Sequence, residues 1–209
     1  MELVFALVSL VILIYSAILH EIAHGFIAYK LGDPTAKIMG RLTLNPKNHI
    51  DPFLSIALPL ILILSGSPVV FGAAKPVPVD PFNLRDGRKD MAIVSLAGPL
   101  TNIILAIIAS VILKIIINLQ PNEFLVFLRL FFTIVVQLNL LLAIFNLLPI
   151  PPLDGSKIFA LLLPEKLASA FLSLGSVGLF IIFFLLLSNG ELSLGRLIYS
   201  LLSFLVFVL

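Results

Sequence analysis

Three ionisable side chains lie inside an apolar segment that is long enough to cross a membrane. Residues 3–31 are predominantly hydrophobic. At about 1.5 Å per residue, a helix of this length exceeds the ~30 Å of a bilayer's hydrocarbon core. The segment nevertheless contains His20, Glu21 and His24. Each charged group at mid-bilayer costs roughly 2.5–3.5 kcal/mol on insertion scales, so we expect a function to keep these groups there.

The spacing of these residues indicates a metal site. On an α-helix, positions four apart share a face, so His20 and His24 can present two imidazoles to one ion, with Glu21 one step round the helix. In zinc proteases two such histidines bind the metal, and the glutamate takes a proton from the attacking water. A chance match on a soluble helix is the alternative, and the apolar setting argues against it.

Composition extends the membrane prediction to the whole chain. Of 209 residues, 60% are hydrophobic and 11% are charged, whereas soluble domains carry about 25% charged residues. The net charge of +2 is what loop lysines and arginines give a membrane protein, and no nucleic-acid partner is predicted from it. The sequence contains no cysteine. A metal ion must therefore be held by His, Asp or Glu.

The apolar segments predict an all-α polytopic membrane protein with about five full transmembrane helices and one re-entrant segment. The full spans are residues 3–31, 91–118, 125–148, 167–187 and 194–209. Residues 52–74 are apolar but interrupted by proline and glycine, which leaves a helix over residues 53–64 of only about 18 Å. We therefore expect this segment to be re-entrant, giving six membrane segments in all.

The connections carry weaker signals. Period-two alternation over residues 41–44 predicts a short strand or hairpin at the membrane face. The prolines at positions 76 and 78 exclude a helix over residues 75–81 and favour extended or polyproline II geometry. The chain is expected to form a single integral-membrane domain over residues 1–209, with a catalytic core at about 3–163 and a C-terminal helical pair at 167–209.

A catalytic zinc site usually has a third protein ligand. Asp154 is favoured because it follows a proline-rich break at the end of a membrane helix, and unwound backbone at membrane depth is tolerated only where it lines a site. His49 is the other histidine. The alternatives are a helix cap for Asp154 and a loop histidine bonded to backbone for His49. Asn146, just before the break, is either a helix-packing amide or a donor to the developing oxyanion.

Joint binding of one ion constrains the topology. His20 and His24 lie late in the first span and Asp154 follows the span that begins near residue 125, so these two spans must run in the same direction. An odd number of crossings must separate them, and residues 91–118 supply one. Most of the lysines and arginines then lie on the side of the membrane that holds these span ends. By the positive-inside rule that side is cytoplasmic, so the site is expected at the cytoplasmic side of the cell membrane.

Two stretches of this chain resemble the paired signatures of the site-2 protease family of intramembrane zinc metalloproteases, as found in compact prokaryotic members. His20 to His24 resembles the family's His-Glu-x-x-His motif, and residues 146–155 resemble its second signature, an Asn and prolines leading to Leu-Asp-Gly. Residues 40–46, 71–78 and 97–102 are also similar to stretches of such members. The resemblance covers residues from about 20 to 163.

The resemblance implies one Zn²⁺ per chain, held by His20, His24 and Asp154. Glu21 is implied to be the general base and then the acid, and Asn146 to assist at the substrate carbonyl. Within a lipid bilayer, the implied activity is hydrolysis of peptide bonds in or near the transmembrane helices of substrate proteins, as in regulated intramembrane proteolysis. The alternative is a non-proteolytic membrane protein, such as a divalent-cation transporter or an inactive protease homologue, because ion pathways also use intramembrane His and Asp.

Overall fold

All regular structure in the described part of the chain is helical. The computed structural model describes residues 2–51, 57, 61, 64, 75–175, 177–178, 180–181 and 200. Its helices are α1 (Glu2–Lys30), α2 (Thr35–Ile38), α3 (Gly87–Ile117), α4 (Glu123–Leu147), α5 (Asp154–Ala160) and α6 (Glu165–Leu172), with 3₁₀ turns at Pro46–Asn48 and Pro81–Asn83. Among these residues, α1, α3 and α4 are long and apolar enough to cross a membrane. The predicted all-helical membrane class is confirmed to this extent.

The other predicted membrane segments fall mainly outside the described residues. These are the re-entrant segment at 52–74 and the C-terminal spans at 167–187 and 194–209. Helix α6 and a few residues after it are described, and they do not test either C-terminal span.

Interhelical hydrogen bonds show how the three long helices run. Going back along α1 from His24 to His20, the partners on α3 advance from Val94 to Asn102, so these helices are antiparallel. Helix α4 is antiparallel to α3, because Asn139 bonds Asn102 near the site while Arg129, earlier in α4, bonds the carbonyl groups at the far end of α3. Helices α1 and α4 are therefore parallel, as joint binding of one ion requires.

Helix packing depends on small residues at the α3–α4 contact. Ala106 and Ala109 of α3 are buried against Val136 and Leu140 of α4. Without a hydrophobic driving force between helices in lipid, close approach of small residues supplies the packing contacts. Large apolar side chains on the outer faces stay exposed, as expected for a surface that contacts lipid, for example Leu7 and Val11 of α1 and Ile108 of α3.

The short strand or hairpin expected at residues 41–44 is not formed. Residues 42–44 are bends and residue 41 has no regular structure, without a strand pairing in the described part of the chain. The side chain of Arg41 turns to the backbone carbonyls of Lys75 and Pro76, and the carbonyl of Thr43 accepts a hydrogen bond from His49 Nε2. An alternating tetrapeptide without a ladder partner gains no strand hydrogen bonds, so the prediction was wrong.

Local hydrogen bonds set the helix ends next to the site. Helix α1 ends where Gly32 adopts φ +115°, and the amide of Asp33 donates to the Ala28 carbonyl at 2.9 Å. A left-handed glycine with this long return bond is a Schellman-type stop. Helix α3 begins at Gly87, before the apolar stretch, because the Asp90 carboxylate accepts from the Asp86 amide at 2.8 Å. This bond satisfies a donor that would otherwise be free at the helix start.

Candidate metal centre

Three side chains converge where α1, α3 and α5 meet. The Nε2 atoms of His20 and His24 lie 3.2 and 3.1 Å from Asp154 Oδ2, and 3.0 Å from each other. The side chains come from residues that are all buried. Ligands at 2.0–2.2 Å from a tetrahedral zinc ion lie about 3.3 Å apart, so this spacing fits a shared ion.

The tautomers of both histidines follow from their second nitrogen. His24 Nδ1 lies 2.7 Å from the Val94 carbonyl oxygen, which can only accept, so Nδ1 carries the hydrogen. His20 Nδ1 donates in the same way to Asn102 Oδ1 at 2.6 Å. With the hydrogen on Nδ1, the neutral form of each imidazole has its lone pair on Nε2, the atom that faces Asp154 Oδ2. In that form, three lone pairs at this separation repel one another unless a cation lies between them. The three ligand atoms therefore fit a metal ion.

Asp154 reaches the site because the chain turns sharply after α4. Leu153 occupies the N-cap position of α5, and Asp154 is the first helical residue, with its carboxylate directed to the two histidines. The helix-cap alternative for Asp154 therefore does not describe its contacts. Lys157, one turn later, places Nζ 3.4 Å from Asp154 Oδ1. This cation engages the oxygen that the histidines leave free.

His49 is not part of this cluster. Its Nε2 donates to the Thr43 carbonyl oxygen at 2.8 Å, and the residue is buried in the loop after α2. This is the backbone-bonded loop histidine that the sequence offered as the alternative to a ligand.

Gly98 of α3 was missed as a site residue. A Cβ atom built on Gly98 would lie 2.4 Å from His24 Nε2 and 2.6 Å from His20 Nε2. The helix backbone therefore passes directly against both imidazoles, and any side chain here would take the space in which the ligand atoms meet. The sequence carried a signal in the Gly-Pro pair inside an apolar helix, followed four residues later by Asn102, which bonds His20.

Glu21 contacts the extended chain before α3. Its Oε2 accepts a hydrogen bond from the Val77 amide at 2.7 Å. Arg41, which is buried, holds the same segment by donating to the carbonyl oxygens of Lys75 and Pro76 at 2.6 and 3.3 Å. Because Oε2 is bound, Oε1 is the oxygen of Glu21 that is left to exchange a proton.

A second carboxylate anchors this segment at the end of α1. The buried side chain of Asp33 accepts from the Asp80 amide at 2.8 Å and from the Thr35 amide at 3.0 Å. Val77 and Asp80 are three residues apart, and a polyproline II helix has about three residues per turn, so both amides face the same side. The predicted non-helical geometry of residues 75–81 is confirmed for residues 75–80. It was wrong at Pro81, where a 3₁₀ turn begins because the Asp80 side chain caps it by accepting from the Phe82 amide.

The hydrogen bonds of Asp33 also affect its acidity. Burial raises the pKa of this carboxyl, but hydrogen bonds from the Thr35 hydroxyl, the Asp80 and Thr35 amides and the Asn83 side chain outweigh burial and lower the pKa below its ordinary value. Asp33 therefore holds residues 75–80 as a carboxylate.

Asn146 is tied back to its own helix. Its Nδ2 donates to the Leu142 carbonyl oxygen at 2.9 Å, and the residue is half-buried near the end of α4. The amide has a second hydrogen, which makes no hydrogen bond within the described residues. The bond to Leu142 fits a helix-packing amide, and the second hydrogen can still donate to a developing oxyanion. Both roles that the sequence suggested for Asn146 therefore stay open.

Comparisons with known proteins agree on one family. The model of "Peptidase family M50" matches residues 8–126 and 116–188 of this chain. The chain is 42% identical over 177 residues to "Putative zinc metalloprotease YwhC" of Bacillus subtilis, and this match covers 83% of this chain and 77% of that protein. It is 36% identical over 140 residues to "Putative zinc metalloprotease Rip2" of Mycobacterium tuberculosis, covering 67% of this chain and 51% of the relative.

The chain thus spans about half the length of Rip2. No solved structure matches it. The family match takes in α1, α3, α4 and α5, the elements that carry the histidines, Gly98 and Asp154. The chain therefore belongs to peptidase family M50, the site-2 protease family.

Proposed function

We propose that the protein is an intramembrane zinc metalloprotease that hydrolyses peptide bonds within or near the transmembrane helices of membrane-protein substrates. The observation that carries this proposal is the convergence of His20, His24 and Asp154 in a membrane-class helical fold, with Glu21 beside them in the chain. Family membership supports it, since the relatives are named as zinc metalloproteases. One Zn²⁺ per chain is the proposed cofactor.

In this proposal His20 Nε2, His24 Nε2 and Asp154 Oδ2 would hold the zinc ion. When bound, it lowers the pKa of a coordinated water towards about 7 and polarises the carbonyl under attack. Asn102 and the Val94 carbonyl fix the histidine tautomers that such binding requires. The chain thus supplies two neutral imidazoles and one carboxylate, a ligand set that leaves a position for water.

Glu21 is the proposed general base and then general acid. The Val77 amide holds Oε2, so Oε1 takes the proton from the attacking water and then delivers it to the leaving amine. Arg41 supports this geometry by donating to the Lys75 and Pro76 carbonyl oxygens of the same segment. Asn146 is proposed to donate its second amide hydrogen to the oxyanion that develops on the substrate carbonyl.

The substrate must present an unwound backbone. A transmembrane helix has its backbone groups bonded internally, so its carbonyls become accessible only after local unwinding. Because the candidate ligands lie within and beside membrane-class helices, we propose substrates of this kind, rather than soluble peptides, and a part in regulated intramembrane proteolysis. The partners are therefore transmembrane proteins and the bilayer itself.

The proposed arrangement has five full crossings and a re-entrant segment, with the site towards the cytoplasmic side of the cell membrane. It rests on the parallel course of α1 and α4 and on the basic residues near the site end of the bundle. Those residues include Lys37, Lys47, Arg85, Arg88 and Lys157. Single cysteines introduced at Lys47 and at Asn122, between α3 and α4, test this orientation. A reagent that does not cross the membrane of intact cells should label position 122 and not position 47.

The proposal is tested with detergent-purified protein and a library of transmembrane-helix substrates. Glu21→Gln should keep zinc, because Glu21 is not a ligand, and should abolish cleavage. Glu123→Gln makes the same change at an exposed glutamate in the first turn of α4, and it should cleave like the unmodified protein. Cleavage that survives Glu21→Gln in a protease-free sample would remove the mechanism. Zinc flux into liposomes that survives this substitution would favour a transporter.

A further inference from the structure

Two buried asparagines lie behind the zinc site and link it to α4. Asn102 of α3 accepts from His20 with Oδ1 and donates with Nδ2 to Asn139 Oδ1 at 2.9 Å. Asn139 donates with Nδ2 to Ser16 Oγ at 3.0 Å and to the Val135 carbonyl oxygen at 2.9 Å. Both asparagines have 0% exposure. Neither asparagine was predicted from the sequence to be part of a site.

The direction of every hydrogen bond in this pair is determined by one backbone carbonyl. The Val135 oxygen can only accept, so the nitrogen of Asn139 must face it and the oxygen of Asn139 must face Asn102. The nitrogen of Asn102 then faces Asn139, and its oxygen faces His20. An acceptor beside His20 Nδ1 places the hydrogen on that nitrogen and leaves Nε2 with a lone pair.

We propose that Asn139 is a positioning residue for the zinc site, which acts through the amide orientation of Asn102 on the tautomer of His20. Without the Asn139 oxygen, the Asn102 amide is free to rotate by half a turn and present its N–H to His20 Nδ1. His20 then carries its hydrogen on Nε2 and cannot bind zinc. This inference rests on the zinc site of the proposed function and adds a residue outside the ligand set.

A packing role for Asn139 makes a different prediction. Polar side chains join membrane helices by hydrogen bonds, and losing such a bond weakens helix association whatever its direction. The proposed role depends only on the presence of an acceptor facing Asn102. Zinc affinity and the geometry of the bound metal therefore distinguish the two roles, whereas thermal stability alone does not.

Asn139→Leu is the direct test. The purified protein is loaded with zinc, and its affinity is measured by competition with a chelator. A parallel sample is loaded with Co²⁺, whose visible absorption spectrum reports coordination geometry. We expect zinc affinity to fall about 10-fold, the lower end of the range for lost second-sphere partners of metal ligands, and the Co²⁺ spectrum to change.

Three further variants separate orientation from packing. Ser16→Ala removes the other partner of Asn139 but leaves the Val135 bond that sets its direction, so zinc affinity should be unchanged. Asn139→Asp should retain zinc affinity. Burial favours the neutral acid, whose hydroxyl can donate to the Val135 carbonyl while its carbonyl oxygen still faces Asn102. In an Asn102→Asp background, the hydrogen bond from His20 Nδ1 favours the ionised carboxylate, as in carboxylate–histidine–zinc triads. Either oxygen then accepts from His20, so adding Asn139→Leu should no longer weaken zinc binding.

The outcomes distinguish this inference from the function on which it rests. If the unmodified protein binds no zinc, the proposed function fails. If the unmodified protein binds zinc and folded Asn139→Leu binds it equally well with the same Co²⁺ spectrum, the inference is wrong. The same applies if Asn139→Leu weakens zinc binding equally in the Asn102→Asp background. Should the leucine variant not fold, Asn139→Ala carries the same expectations, because it also removes the acceptor.

Discussion

Gly98→Ala adds a single methyl group directly against both imidazoles of the site. The new Cβ would lie 2.4 Å from His24 Nε2 and 2.6 Å from His20 Nε2, whereas unbonded heavy atoms settle at about 3.5 Å. Both imidazoles would have to move by about 1 Å. Zinc–nitrogen distances vary by only about 0.2 Å, so the two histidines could not keep their ligand positions.

The helix itself should not resist this substitution. Alanine in a helix interior is favoured over glycine by about 0.5–1 kcal/mol, which opposes the typical overpacking cost of about 1–3 kcal/mol. We therefore expect Gly98→Ala to keep its helix content by circular dichroism and to lose zinc affinity by at least about 100-fold, more than a lost second-sphere contact. Chelator competition measures the affinity, and cleavage should be lost with the metal.

Gly175→Ala is the matched control. It makes the same change in a helical residue after α6, where an added Cβ meets no described heavy atom within 4 Å. Its zinc affinity should equal that of the unmodified protein. Zinc affinity that is normal in folded Gly98→Ala would refute a site in which both imidazoles bind one ion against α3, because two histidines cannot bind zinc through the volume of a methyl group.

Three other substitutions test how the site is supported. Arg41→Gln should lower kcat by about 10- to 100-fold with zinc affinity unchanged, because it loosens the segment that positions Glu21. Lys37→Gln, at an exposed cation, should have no effect. Equal kcat for both variants would contradict this role of Arg41. Asp33 has a lowered pKa when folded, so its stabilisation is present above the ordinary carboxyl pKa and is lost as pH falls through the folded value. Thermal unfolding of Asp33→Asn should therefore show a deficit at neutral pH that shrinks in acid, and a constant deficit would be evidence against it. Asn146→Ala should reduce kcat by about 10²–10³-fold and leave zinc affinity intact, and an unchanged kcat would exclude the oxyanion role.

The sequence predicted which three side chains meet because each of them carries a local signal. His20 and His24 are four residues apart in an apolar segment, and Asp154 follows a proline-rich break. Both patterns can be recognised in the sequence without knowledge of the fold. The hypothesis that these residues share one ion also required α1 and α4 to be parallel, as the interhelical hydrogen bonds show them to be. The structure brings them within 3.2 Å of one another.

Features that depend on partners from distant parts of the chain were not predictable in this way. A period-two tetrapeptide does not reveal whether a second strand is there to pair with it. The prediction of a strand at residues 41–44 was wrong for this reason. The helix boundary at Gly87 depends on a side chain that bonds backbone, and hydropathy does not register it. Gly98 and Asn139 matter only because other helices approach them, and no periodicity marks such contacts.

The central claim is that one zinc ion joins the second half of α1 to the start of α5. X-ray absorption at the zinc edge of the purified protein measures this directly. We predict one zinc per chain with two imidazole nitrogens at about 2.0–2.1 Å and a carboxylate oxygen at about 2.0–2.2 Å, and loss of the metal in His20→Ala and in Asp154→Ala. A spectrum without imidazole scattering, or zinc that remains bound with the same spectrum in Asp154→Ala, would contradict the claim.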